Sequence, residues 1–225
     1  SALGSAVRTL PSAVVMIIVS PRSPKIVARF GVRNCVRGGF GLITLGFVGM
    51  STLGVTSAYW HLAIFLCVMS TGMATLMAPA SGMIVSSLPL SKSGVGSAVN
   101  DVTREVGGAL GIAIMGSVLA SGFSSKMADR IKDLPIPAGP RELIEDSIGK
   151  AFGVSDEAVR SGLIPRSAGE LIHDSAREAF VNGSRIAFFV AAAVAAVGAL
   201  VAGNLIPDET PEHGSVVDPV PASVE

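Results

Sequence analysis

The chain has 225 residues, 49% of them hydrophobic and 15% charged, and its 17 Lys/Arg balance its 17 Asp/Glu. Soluble domains carry about 25% charged residues, so this deficit, with a mean hydropathy of +0.60, excludes an ordinary soluble domain whose core would have to hide several continuous apolar segments. Zero net charge conceals a division along the chain, because Asp101 and Glu105 are the only acids in the first 121 residues, and nothing in that distribution suggests a nucleic-acid partner. The expected fold is all-α, a polytopic transmembrane helix bundle.

The first residues, Ser-Ala-Leu, carry neither an initiator Met nor a signal-peptide pattern, so the start reads as the middle of a longer protein. Five apolar segments follow. The first covers about 6–29 and is interrupted by Pro11 and Pro21, which a membrane helix tolerates when neighbours satisfy the freed carbonyls. The second, about 37–55, carries Gly38, Gly39, Gly41, Gly46 and Gly49. The third runs from Tyr59 to Leu88 without a Lys, Arg, Asp or Glu. As a helix it would measure about 45 Å against a hydrocarbon core of about 30 Å, so it must tilt, bend near Pro79 or protrude. Tyr59 and Trp60 stand where an interfacial anchor belongs. The fourth segment is about 94–121 and the fifth about 185–206.

Between the first two spans lie Arg22, Lys25, Arg29, Arg33 and Arg37 with no acid, whereas 52–58 has no charge at all. The positive-inside rule then places the first loop in the cytoplasm and the second outside. Alternation puts 122–184 outside and the C-terminus in the cytoplasm, with a disordered acidic tail at 207–225. The 122–184 segment has eight Lys/Arg and ten Asp/Glu and reads as an amphipathic external loop, partly helical. Arg141–Phe152 has Leu143, Ile144, Ile148 and Phe152 at helical spacing, and Ser167 with Glu170 forms a capping-box pattern.

The chemistry concentrates in the fourth span. Ser97, Glu105 and Gly108 lie within about 40° of Asp101 around a helix, and Arg104 about 60° to one side, which makes one polar stripe. Ionisable groups inside a membrane usually face a bundle interior or a water-filled cavity and often belong to an ion or proton pathway. Low dielectric favours the neutral carboxyl and a nearby Arg the ionised one. Two acids sharing Arg104 leave one poorly compensated. That acid, with Glu105 slightly favoured as the deeper, is a candidate proton carrier, and the alternative is a structural ion-pair network. Gly107, Gly111 and Gly116 form a small-residue face suited to close helix packing. Thr71, Met73, Thr75 and Met77 in the third span, with Asn100 in the fourth, are candidates for a cavity wall or for plain packing, Met being adaptable to varied apolar ligands. Gly31 permits a tight turn in the basic loop. Arg29 and Arg33 there can bind helix C-terminal carbonyls and acidic partners, so Arg22, Lys25, Arg29, Gly31 and Arg33 are either gating-loop residues, topology determinants or both. Cys35 and Cys67 read as small apolar fillers. His61 and His173 have no metal-ligand partner at usable spacing. No nucleotide-binding, hydrolase or metal motif is visible, so no enzyme activity, cofactor or metal is expected.

Leu10-Pro-Ser-Ala-Val-Val with Ser20-Pro-Arg-Ser-Pro-Lys-Ile-Val-Ala-Arg-Phe-Gly-Val-Arg33 resembles the second-half cytoplasmic loop of major facilitator superfamily drug exporters. The stretch Gly94–Ser117, with its Asn-Asp-x-x-Arg-Glu-x-Gly-Gly-Ala-x-Gly string, is similar to the penultimate span of the 14-helix drug:proton antiporter branch. The resemblance covers residues 1–207. It implies the last five of fourteen spans, most of a C-terminal lobe, whose partner would be a missing N-terminal lobe. It also implies a proton-coupled multidrug exporter working by alternating access in the plasma (inner) membrane, with membrane lipid, protons and small amphipathic drug-like substrates as its other partners. Two further readings stay open: a truncated or partner-dependent remnant without transport, and a carrier of the same fold for another small metabolite.

Overall fold

A computed structural model describes residues 2–89, 92–132, 134 and 136–206. The expected tail at 207–225 lies outside the described residues. The described chain is all-α: α1 (Ala2–Val19), a 3-10 turn (Ser20–Arg22), α2 (Ser23–Phe30), α3 (Val32–Ser51), α4 (Tyr59–Ser86), α5 (Ser93–Ile131), α6 (Ala138–Asp146), α7 (Ile148–Arg160) and α8 (Arg166–Leu205). Among the described residues four segments are long and apolar enough to cross a membrane: Ala6–Phe30, Tyr59–Val85, Ser93–Ile131 and Arg166–Leu205. The expected second span is not one of them. α3 has 20 residues, about 30 Å of helix, but Arg33, Arg37 and its glycines dilute its hydropathy.

The composition of α3 follows from its place, between α4 on one side and α8 on the other. A helix enclosed by protein needs close approach more than apolar bulk. A Cβ added at Gly39 would come within 2.7 Å of the Leu76 Cβ and 2.9 Å of the Gly72 carbonyl oxygen on α4. One added at Gly46 would meet the Met69 Cβ at 2.9 Å. On the other side the Phe40 ring lies on Gly198, and Phe47 stacks on Phe188 with centroids 6.2 Å apart. The pairs Phe40–Gly198 and Phe47–Phe188 show that α3 and α8 run antiparallel.

Several boundaries differ from the sequence expectation. The basic loop is mostly helix. Pro21 and Pro24 sit in the first turns of the 3-10 segment and of α2, where proline's missing N–H has no bond to lose, so the chain tightens without unwinding. The real break is Gly31, at φ 79° and ψ 158°, a region essentially closed to other residues. At the other end, α5 and α8 do not stop at 121 or start at 185. They continue as helices of 39 and 40 residues, far longer than a bilayer needs.

Their extensions, with α6 and α7, enclose a separate core. Phe123, Met127 and Ile131 from α5, Ile144 from α6, Ala151 from α7, and Ile172, Ala176 and Ala179 from α8 are all buried there. The expected helix across Arg141–Phe152 breaks at Ser147, whose extended backbone (φ −160°, ψ 156°) caps α7 while its Oγ accepts from the Lys150 N–H at 3.4 Å. The Ser167 capping box does not form. Pro165 holds the N-cap position, so Ser167 is already inside α8 and no side chain caps that end.

α5 is little covered along its middle. Near its start Gly96 stands against Val85 of α4 and Leu88 just beyond that helix, and near the core of the extension Gly122 meets Gly183 of α8. Between them it is exposed almost continuously. A Cβ added at Gly107, Gly108, Gly111 or Gly116 would meet nothing within 4 Å, so no described residue packs on this small-residue face.

Candidate functional site

The exposed stretch of α5 and the facing side of α4 form an open groove of about 770 Å³. Met73, Met77 and Ser81 line it from α4, and Asn100, Asp101, Arg104, Glu105 and Gly108 from α5. Two groups of residues singled out separately in the sequence therefore share one space: the charged stripe and the flexible methionine wall. The helical period brings them together, because 73, 77 and 81 recur at one side of α4 as 101, 105 and 108 do on α5.

Asp101, Arg104 and Glu105 are all exposed to the groove. Among the described residues none of their side chains makes an ion pair or a hydrogen bond. The nearby Thr103 hydroxyl turns back to the Val99 carbonyl at 2.7 Å and leaves the acids alone. Arg104 is the one cation among the described residues that shares the groove lining with the two acids. No three His, Cys, Asp or Glu converge among the described residues in a way that could hold a metal.

Thr71 and Thr75 occupy a different side of α4. The Thr71 hydroxyl donates to the Cys67 carbonyl and the Thr75 hydroxyl to the Thr71 carbonyl, both at 2.8 Å. The Thr75 carbonyl in turn accepts from the Ser23 hydroxyl at 3.1 Å, a buried contact that docks α2 on α4.

The basic segment is brought to one end of the bundle. The Arg33 Nε donates to the Gly203 carbonyl at 2.6 Å, in the last turn of α8, where a cation meets both a free carbonyl and the negative end of the helix dipole. Arg22, in the 3-10 turn, donates back to the Ile18 carbonyl in the last turn of α1. Arg29 lies over the Phe30 ring at 5.5 Å, and Lys25 is exposed. Gly31 separates these two from Arg33.

Two features escaped the sequence. The Arg185 Nε donates to the Ser51 carbonyl at 2.8 Å, closing the C-terminus of α3, so arginines tie the antiparallel pair α3/α8 at both ends. The signal was present as a lone Arg at the head of the last apolar run. His173, for which the sequence offered no metal-ligand partner, has its Nε2 3.1 Å from Asp156 Oδ1 and stacks on Phe152 with centroids 4.4 Å apart. Its partner lies on α7, seventeen positions back, at no recognisable spacing.

Comparison with known proteins gives the same direction. The tetracenomycin C resistance and export protein of Streptomyces glaucescens is 32% identical over 226 residues, covering 99% of this chain and 41% of its own length. The multidrug resistance protein Stp of Mycobacterium tuberculosis is 28% identical over 212 residues, 92% of this chain and 38% of Stp. The methyl viologen resistance protein SmvA of Salmonella typhimurium is 27% identical over 179 residues, 79% of this chain and 34% of SmvA. The chain thus spans about two fifths or less of the length of the curated relatives it matches. No family model matches it. All three relatives are named for resistance, and the first for export as well. With four helices able to cross a bilayer, this is a multi-pass membrane protein.

Proposed function

The chain is homologous to multidrug resistance and efflux transporters of the major facilitator superfamily, and from that premise we propose that it is the C-terminal part of a proton-coupled exporter of amphipathic, drug-like molecules. The observation that carries the reading is the groove: three ionisable side chains without an ion-pair partner among the described residues, facing methionines across one open space. Methionine suits varied apolar ligands, and ionisable groups at membrane depth suit a proton path.

In this mechanism the groove is one wall of a cavity whose other wall is an N-terminal lobe. Asp101 or Glu105 takes a proton as the cavity opens to one side and becomes neutral. Rocking of the lobes carries it to the other side, where the O–H bond breaks, the proton leaves to water and the carboxylate stands ionised beside Arg104 again. Substrate and proton exchange with the same face of the cavity, so a proton gradient drives export. α3 counts as a fifth span, with its low hydropathy offset by protein on two sides. The basic end, with Arg22, Lys25, Arg29, Gly31 and Arg33, faces the cytoplasm by the positive-inside rule, and so does the C-terminus. The helical extension at 122–184 then stands outside.

The test uses the full-length protein that carries this chain, in membrane vesicles with an imposed proton gradient. Tetracenomycin C and methyl viologen join the panel because relatives are named for them, beside sugars and organic acids as metabolite controls. The double variant Asp101→Asn, Glu105→Gln loses gradient-driven efflux while the protein remains in the membrane at normal level. Efflux at the parental rate overturns the coupling role. Movement of metabolites and no drug overturns the substrate class.

A further inference from the structure

A second groove lies at the basic end of the bundle, on the opposite side of α3's N-terminal half from the α8 contact. It measures about 460 Å³. Ile26 and Phe30 of α2, and Gly38, Gly41, Leu42 and Leu45 of α3, form its apolar wall. Phe30 is 56% exposed and Leu45 62% exposed, so the wall is open along its length. A Cβ at Gly38 or Gly41 would meet nothing within 4 Å: the glycines leave a channel there, and no described residue enters it. The lining residues Asn34 to Leu45 span about 16 Å of helix, close to half of a hydrocarbon core of about 30 Å. The groove is one leaflet deep.

Two cations of α2 adjoin its lining residues. Arg29 lies over the ring of Phe30, which lines the groove. Lys25 precedes the lining Ile26 and has no ion pair or hydrogen bond among the described residues. Asn34 lines the mouth and uses one amide N–H on the Phe30 carbonyl at 3.0 Å, which leaves its second N–H for a ligand. Residues 20–37 contain no acid. An apolar channel one leaflet deep, ending in cations at the membrane surface, has the charge and shape of an anionic phospholipid.

We propose that this groove is a specific anionic-lipid site, with the phosphate held by Arg29, Lys25 and the Asn34 amide and one acyl chain lying over Gly38 and Gly41. The inference rests on the reading that α2 sits at a membrane surface, and not on drug transport or proton coupling. Juxtamembrane cations gain from anionic lipid about 1 kcal/mol each, roughly fivefold in occupancy per cation.

Native mass spectrometry of the full-length protein, released from bilayers of equal phosphatidylglycerol and phosphatidylcholine, reads the site directly. The expected result is preferential retention of phosphatidylglycerol. Arg29→Gln and Lys25→Gln each lower the retention ratio about fivefold, Arg29→Lys restores most of it, and Gly41→Leu abolishes retention with no change of charge. Lys25 and Arg29 are exposed on a short surface helix, so their variants decide the matter even if Gly41→Leu fails to fold. Equal retention of the two lipids, or full retention after the double charge substitution, overturns the site. Displacement of the lipid by millimolar inorganic phosphate overturns the acyl-chain half of it. Efflux is not measured, so a failed transport reading leaves this outcome standing, and the reverse holds too.

Discussion

Arg33 and Arg185 show what a single side chain does at a helix end. Each closes an antiparallel neighbour: Arg33 bonds the Gly203 carbonyl of α8, and Arg185 bonds the Ser51 carbonyl of α3. Last-turn carbonyls have no partner within their own helix. A charged donor there is worth about 1.5–3 kcal/mol. Arg185→Met is therefore expected to lower the unfolding free energy of the full-length protein in detergent by about 1 kcal/mol or more, read as a lower thermal midpoint. Arg33 and Ser51 are about 27 Å apart along α3, too far for direct coupling, so the Arg33→Met, Arg185→Met pair should add within about 0.5 kcal/mol. A loss well beyond the sum would mean the two ends close as one unit. Sequence made Arg33 visible through the carbonyl-binding role expected of the basic loop. Arg185 gave only its position, because its partner is 134 positions away, and no local pattern carries that distance.

At the scale of elements, α5 and α8 come backbone to backbone at Gly122 and Gly183. A Cβ on Gly183 would stand 2.7 Å from the Leu119 carbonyl oxygen and 3.0 Å from the Phe123 nitrogen, and one on Gly122 2.8 Å from the Gly183 Cα. Backbone is on the receiving side, so nothing flexible can yield. Gly183→Val is expected to push the helices apart and destabilise the extension by about 1–3 kcal/mol, measured as faster proteolysis around 132–165 in the full-length protein. Gly139→Val, in open space at the start of α6, is the control and should leave the digestion pattern unchanged. Unchanged proteolysis in Gly183→Val would remove the crossing as the anchor of that core. The existence of the helices was legible from apolar runs, and so was the helical character of 122–184. Their ends were not. α5 and α8 pass the expected limits because Met127, Ile131 and Ile172 continue the apolar period into charged sequence, where mean composition hides it. α3 was legible as a segment, yet its glycines became intelligible only with α4 and Phe40 beside them.

For the whole molecule the uncovered length of α5 is the decisive fact. Val106 and Leu110 are 53% and 58% exposed, and so, on the other side of the same helix, are Asp101, Arg104 and Glu105. Lipid suits the first face. It does not suit the second, since a charge at the centre of a helix in a bilayer costs about 2.5–3.5 kcal/mol even on the mildest scale. In the membrane the charged stripe therefore meets protein or water from outside the described residues. The candidate site was legible in the sequence to this extent: the stripe and the Met73/Met77 wall could be named, while their meeting in one groove required α4 and α5 to be placed. A choice between lipid and water can be read by thiol labelling of the full-length protein in intact membranes. Single cysteines replace Gly108 on the stripe and Leu110 about 160° away around the helix, a separation of 200° taken the short way. Both are exposed in the isolated fold, so burial within it cannot separate them. A small, charged, water-soluble thiol reagent is expected to modify Gly108→Cys and to leave Leu110→Cys unmodified, because thiolate forms in water and not among acyl chains. Bound substrate should slow the reaction at 108 and not at 110. Equal protection of both positions, with or without substrate, would mean that the stripe is sealed by protein, and the groove would then be a packing surface with its charges paired across it rather than a path for protons.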